Sequence, residues 1–446
     1  MSEDPPSDPR RSALDRLLRL FGDVRAGEGP TVLLLMSNVF LLLLGYYICK
    51  TARDPLVLAT GGVLGKSAAG AVQAVVLMGF IPLYSWFASR VDRMRLITGV
   101  LLFFALNLEL FWLAALLRVP LLGAGFYVWV GIFNNAVVAQ FWSYGNDLFD
   151  EETGKRLFPI VAIGATLGAP FGSKLAAWLF GAGVGAYSLL HVTAVVLVLC
   201  LALFWAVEAR EGARRRATAP GRLAAGANGF LLLARSPYLR LISLLLLLLN
   251  LVNTTGGYVL DTMVTARVAA EQAADPAFDQ EAWMGVFYGN YNFYVAVLTF
   301  LIQAFLVSRI VKVAGLAGVL LALPVLAFGL YGGALVFTTL GMLYLTKVAE
   351  NATDYSVMNT ARQMFWLVTS REEKYKAKQA ADTFVVRVGD LVSFVFYYAA
   401  TVWLSLGPRG LLAGIFVVIV LWLGTAFLLL REYRRLSAEQ AVLAAA

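Results

Sequence analysis

Apolar residues run along this chain in unbroken stretches of about twenty, separated by short polar connections. A helix of that length crosses a hydrocarbon layer ~30 Å thick. The stretches are continuous, not alternating, which excludes a transmembrane β-barrel. They predict twelve spans, at approximately 30–50, 67–89, 96–117, 120–148, 156–181, 185–208, 238–264, 284–308, 313–332, 335–362, 378–405 and 410–430. The longest polar connection, 209–237, is basic and separates six spans from six. The expected fold is therefore an all-α polytopic membrane protein with twelve transmembrane helices in two six-helix halves, 30–208 and 238–430. Residues 1–29 form an amphipathic segment and 431–446 a tail. The first segment lacks a long apolar core followed by a small-residue cleavage site, so it is expected to lie on the membrane surface.

Composition agrees with this reading. The chain is 60% hydrophobic and 14% charged, with mean hydropathy +0.75; a soluble domain carries about 25% charged residues. Most of the 36 lysines and arginines fall on alternate connections. The positive-inside rule then places the N- and C-terminal segments in the cytoplasm and explains the basic pI without nucleic acid. Cys49 and Cys200 both fall within spans and read as packing residues. His191 has no ligand-spaced neighbours, so no metal site or cofactor is expected. No nucleophile and base pair points to an enzyme.

Charge inside apolar sequence is the informative signal. An ionisable group in lipid costs about 2.5–3.5 kcal/mol on the insertion scale, so it normally faces a partner or a watery cavity. The densest such stretch is 347–390. Lys347, Glu350 and Asp354 share a helix face there, as do Lys376 and Arg387 three turns apart. In the first span, Lys50, Arg53 and Asp54 are expected at the external end. Span four carries Asn146 and Asp147, and span seven a stripe of Asn250, Asn253, Gly257 and Asp261. Gly256 and Gly257 are expected to loosen that helix. Gly164, Gly168 and Gly172 form a small-residue stripe for close helix packing, not a phosphate loop. Lys174 follows it and needs a partner, for which Glu109 is the candidate; Lys378 and Asp382 form a structural pair. The substrate-contacting set is Lys50, Arg53, Asp54, Asn146, Asp147, Asn253, Lys347, Lys376, Lys378 and Arg387, with Glu109, Lys174, Glu350, Asp354 and Asp390 assigned to coupling or gating.

With these motifs in order, the chain resembles the non-mitochondrial ATP/ADP translocases, nucleotide transporters of plastids and intracellular bacteria. KTARDPLVL at 50–58 is similar to that family's RDTKDTLVV, and FWSYGNDL at 141–148 to its FWGFANEI. KRLFPIVAIGAT at 155–166, DYSVMNTARQM at 354–364 and KYKAKQAADTFVVRVGD at 374–390 resemble three further motifs. The resemblance implies a major-facilitator-like fold and secondary transport of ATP, ADP or another anionic nucleotide by exchange. It puts the family lysine of the first span at Arg53, the span-four glutamate at Asp147, and the lysine before span eleven at Lys376 or Lys378. The chain departs at Thr51, Asn253 and Asp354, where the family has Asp, an acidic residue and Lys. Alternatives within the fold are another anionic metabolite or proton-coupled nucleotide uptake; outside it, a receptor or scaffold that does not transport. A monomer in a bacterial inner membrane, contacting lipid and a small anionic substrate, completes the expectation.

Overall fold

The computed structural model describes residues 13–20, 23–215, 232–234, 236–370, 373 and 377–445. By length and composition, nine continuous helical stretches among them could cross a membrane. Two of these, Gly29–Ala88 and Gln280–Val336, are each a pair of spans joined at one residue. Gly62 (φ 60°, ψ −165°) and Gly315 (φ 57°, ψ −146°) turn the chain there in a left-handed region that a side chain would strain. The helix from 340 to 368 is broken by irregular turns. The twelve spans are thus α1 (29–61), α2 (63–88), α3 (Arg93–Leu116), α4 (Leu122–Leu148), α5 (Glu151–Gly181), α6 (Leu189–Arg215), α7 (Pro237–Ala274), α8 (280–314), α9 (316–336), α10 (340–368), α11 (378–403) and α12 (Pro408–Ala445). The chain is a polytopic all-α membrane protein.

Some boundaries differ from expectation. α1 runs on to residue 61, so Lys50, Arg53 and Asp54 sit inside a helix and not at its end. α7 extends to Ala274, which leaves 275–279 as the connection to α8. It also passes through Gly256 and Gly257 without a break; at Gly256 the missing side chain makes room for the Tyr331 hydroxyl. Most of the basic linker, and the first twelve residues, lie outside the described residues.

Two hydrophobic cores form, one within α1–α6 and one centred on α7–α12. The glycine stripe of α5 lies against α1. A Cβ at Gly164, Gly168 or Gly172 would run into the carbonyls of Met36, Phe40 and Leu44 respectively, one turn apart on each helix. Gly168→Ala is therefore expected to cost about 1–3 kcal/mol by overpacking, read from chemical unfolding in detergent. Gly79→Ala, where nothing lies within 4 Å, is expected to be neutral or slightly stabilising.

The seams between the two sets pair α5 with α8 and the α1–α2 hairpin with α11 and α8. Along the first, Gly285 faces Phe180 and Gly289 faces Ala177, which brings the helices close. The end of the bundle where α6 stops and α7 begins is called the linker end below, and the opposite one the far end.

Candidate functional site

A chain of ionic contacts crosses between the two sets of helices toward the far end. The turn at Gly62 folds α2 back, which brings Lys66 to Asp54 of α1. The Lys66 ammonium lies 3.0 Å from Asp54 Oδ1 and 2.9 Å from Asp261 Oδ2 on α7. Tyr288 of α8 donates to Asp261 Oδ1 at 2.5 Å. Arg53 extends the chain, its NH2 3.4 Å from Asp54 Oδ1 and its guanidinium 4.2 Å from the centre of the Tyr127 ring. The Arg53 Nε is shielded and has no hydrogen-bond partner. Two cations and two carboxylates thus balance in an interior where an unpaired charge would be costly. Gly70 lets α2 approach α7 at Tyr258.

A second cluster lies within the α7–α12 set. Lys347 and Glu350, each 2% exposed, pair at 2.7 Å. Lys347 also donates to the Asn253 carbonyl at 2.8 Å, and Tyr331 donates to Glu350 at 2.7 Å. The Asn253 amide donates to Asn351 at 2.6 Å, and Asn351 contacts the Tyr291 hydroxyl. Below this pair α10 widens into a π-turn at Asp354–Met358, and α11 does the same at Ala381–Val385. Such turns insert an extra residue and re-aim the side chains around them. Here Asp354 pairs with Arg362 at 3.1 Å, and Tyr355 is left 46% exposed, within electrostatic reach of Tyr46 and Arg53 of α1.

A third cluster joins α11 to α7. Arg387 bonds Asp390 at 3.1 Å, Asn250 donates to Asp390 at 2.9 Å and to the Val386 carbonyl at 2.7 Å, and Arg387 Nε again has no partner. Gly389 is the close-approach position, since a Cβ there would meet the Asn250 side chain. Tyr258 lies within electrostatic reach of Asp390, Asp261 and Tyr127, so the first and third clusters flank one tyrosine.

The remaining predicted residues sit elsewhere. Lys50 lies over the Tyr47 ring at 5.0 Å. Asp147, at the linker end of α4, pairs with Arg93 at 2.7 Å. Asn146 lines a cleft of about 690 Å³ between α4 and α5, with Trp142, Phe158 and Lys155. Lys378 donates its hydrogen bond to Gln363 at 2.6 Å and lies within electrostatic reach of Asp382, its expected partner. Lys376 lies outside the described residues. The expected pairing of Glu109 with Lys174 does not form. Glu109 of α3 bonds His191 Nδ1 of α6 at 2.7 Å, and Lys174 donates to Asn290 of α8 at 2.9 Å. α3 packs on α4 and α6, so Glu109 is on the wrong helix to reach α5.

At the linker end, Arg156 bonds Glu28 at 3.0 Å and Arg25 contacts Glu152, which ties α5 to the start of α1. Burial alone would raise the Glu28 carboxyl, but the hydrogen bonds from Arg156 and the Arg25 backbone hold it below its usual value. Lys66, Tyr288, Tyr331 and Arg362 were not among the predicted site residues. The predicted spans 30–50 and 67–89 leave Lys66 in the connection between them; its place inside the bundle appears only once the turn is seen to be confined to Gly62.

No family model matches the chain. Among curated proteins it is 23% identical over 312 residues to ADP,ATP carrier protein 1 of Chlamydia pneumoniae, covering 60% of this chain and 58% of that one. It is 26% identical over 351 residues to the protein of the same name from Chlamydia trachomatis, covering 68% and 64%. The match thus spans less than two thirds of each relative's length. Among solved structures, the nucleoside transporter NupG superposes with a TM-score of 0.65 at 13% identity, covering 90% of this chain and 99% of that one. A bacterial homologue of the human lysosomal transporter Spinster gives 0.61 at 14% identity, covering 91% and 98%. The curated relatives of this chain are Chlamydia ADP,ATP carrier proteins at low identity, and its fold is that of major-facilitator-type transporters.

Proposed function

We propose that this chain is a secondary transporter of nucleotides, exchanging ATP, ADP or a related nucleotide across a bacterial inner membrane by alternating access. One observation carries the reading. Arg53 and Arg387, from opposite sets of helices, are each paired with a single nearby carboxylate and each keep a shielded Nε without a partner. A guanidinium with unused donors is suited to phosphate oxygens. In this reading the base enters the space between these cations, where Tyr127 lies against Arg53, Tyr46 and Tyr355 lie within electrostatic reach of Arg53, and Tyr258 within reach of Asp390, and their rings offer faces for stacking. The likeness to proteins named ADP,ATP carrier favours nucleotide as the class.

The two six-helix halves would rock about this space. The Lys66–Asp261 pair and the Ala186–Glu281 hydrogen bond hold the halves together at the far end. With the linker end in the cytoplasm, this arrangement is a state closed to the outside. The Asn253 side chain donates a hydrogen bond to the Asn351 side-chain oxygen, with no carboxylate at 253 where the family has one. That neutral contact favours a cargo range wider than ATP and ADP.

The test is counterflow uptake of labelled ATP, ADP and GTP into proteoliposomes. Arg53→Ala and Arg387→Ala are each expected to lower the uptake rate about tenfold or more (~1.4 kcal/mol or greater). Lys312→Ala, at the linker end of α8, is the control expected to stay near wild type. Wild-type rates in both arginine variants would remove the assignment.

A further inference from the structure

Lys174 lies on the face of α5 opposite the glycine stripe that packs on α1. Its neighbours at one-turn spacing on that face, Phe171 and Trp178, are 59% and 66% exposed. These are large apolar side chains turned toward the membrane, and a lysine among them is out of place. The Lys174 ammonium donates to the neutral side-chain oxygen of Asn290 at 2.9 Å and lies 5.3 Å from the Phe293 ring centre. Among the described residues no carboxylate pairs with it. An ammonium has three donors, so further donors and a full positive charge remain uncompensated.

Two clefts meet at this residue. One, of about 450 Å³, lies between α5, α8 and α10 and is lined by Lys174, Asn290 and the aromatic rings of Trp283, Tyr294 and Tyr344. The other, of about 250 Å³, continues from Lys174 along α5 and α8 toward the linker end, between Leu167, Phe171, Val297 and Phe300. The first has the aromatic and polar character of a membrane interface; the second is apolar. Lys174 is seven residues short of the far end of α5 at Gly181, a depth of about 10 Å along the helix. A cation at the boundary, a polar seat on one side and an apolar groove on the other match a phospholipid lying along the helix.

We propose that Lys174 and Asn290 hold the phosphate of an anionic phospholipid from the far-end leaflet, with an acyl chain in the groove between α5 and α8. The single uncompensated charge selects an anionic over a zwitterionic headgroup. The seat is built from both sets of helices, so the lipid bridges the seam that is closed in this state. Its occupancy therefore stabilises the far-end-closed arrangement.

The experiment is native mass spectrometry of the full-length protein from nanodiscs of mixed phosphatidylglycerol and phosphatidylcholine. Wild type is expected to retain phosphatidylglycerol preferentially. Lys174→Gln is expected to lower that retention at least about fivefold, and Lys174→Arg to preserve it. Asn290→Asp supplies the missing carboxylate from the protein and is expected to lower retention as well, without loss of volume. Equal retention of the two lipids by wild type, or wild-type retention of phosphatidylglycerol by both Lys174→Gln and Asn290→Asp, overturns the proposal. Displacement of the retained mass by inorganic phosphate would also overturn it, by making the site a free-anion site. The readout is bound lipid mass, so it stands or falls separately from transport.

Discussion

Glu350→Ala is expected to destabilise the protein by about 3–5 kcal/mol, because it leaves the Lys347 ammonium buried without its carboxylate. Both side chains are 2% exposed, so little water is available to take over. The Asn253 carbonyl would remain as a partial partner, while the Tyr331 hydroxyl would lose its acceptor. The double change Lys347→Met with Glu350→Leu removes both charges and keeps volume, and is expected to recover most of the loss. Tyr331→Phe should cost only about 1 kcal/mol, the net value of one hydrogen bond. Chemical unfolding in detergent of these three variants decides the matter. A single alanine variant as stable as wild type would show the pair to be hydrated and open, not a structural brace.

Lys66→Ala is expected to release the far end. The substitution removes the cation that bridges Asp261 and Asp54, leaving Asp261 with the Tyr288 hydroxyl and Asp54 with Arg53, and the halves lose an ionic contact that joins them. Ser67 is buried beside this contact. With Cys49 and Cys200 replaced by alanine, a Ser67→Cys reporter should be poorly labelled by an impermeant maleimide from the far side. Adding Lys66→Ala should raise labelling severalfold and lower exchange by about tenfold or more. The charge exchange Lys66→Asp with Asp261→Lys should restore part of the protection, since one cation can again bridge two acids. Unchanged labelling in Lys66→Ala would mean that these residues brace the fold without closing it.

The spans were legible because lipid imposes one rule: backbone polar groups must be satisfied inside the segment, so helices of about twenty apolar residues recur. The glycine stripe at 164, 168 and 172 was legible for a similar reason, since spacing four places small residues on one face; its partner α1 was not. The charged residues are where sequence ran out. The Lys66 and Asp261 positions are 195 apart, and nothing local marks them as neighbours. Charges at 50–54 suggested a helix end, yet α1 carries them deep because Lys66 neutralises Asp54 from the next helix. Lys174 and Glu109 read as a pair because each lacked a local partner; tertiary placement gave Glu109 to His191 and left Lys174 on the outer face.

The central claim is that Arg53 and Arg387 face one shared space and hold an anionic nucleotide there. Equilibrium binding of ATP and ADP to purified protein, titrated against salt, tests it most directly. Saturable binding in wild type, weakened about tenfold or more in each arginine variant with stability intact, is the predicted result. Wild-type affinity in both variants, or no binding of any nucleotide by stable wild-type protein, would contradict it.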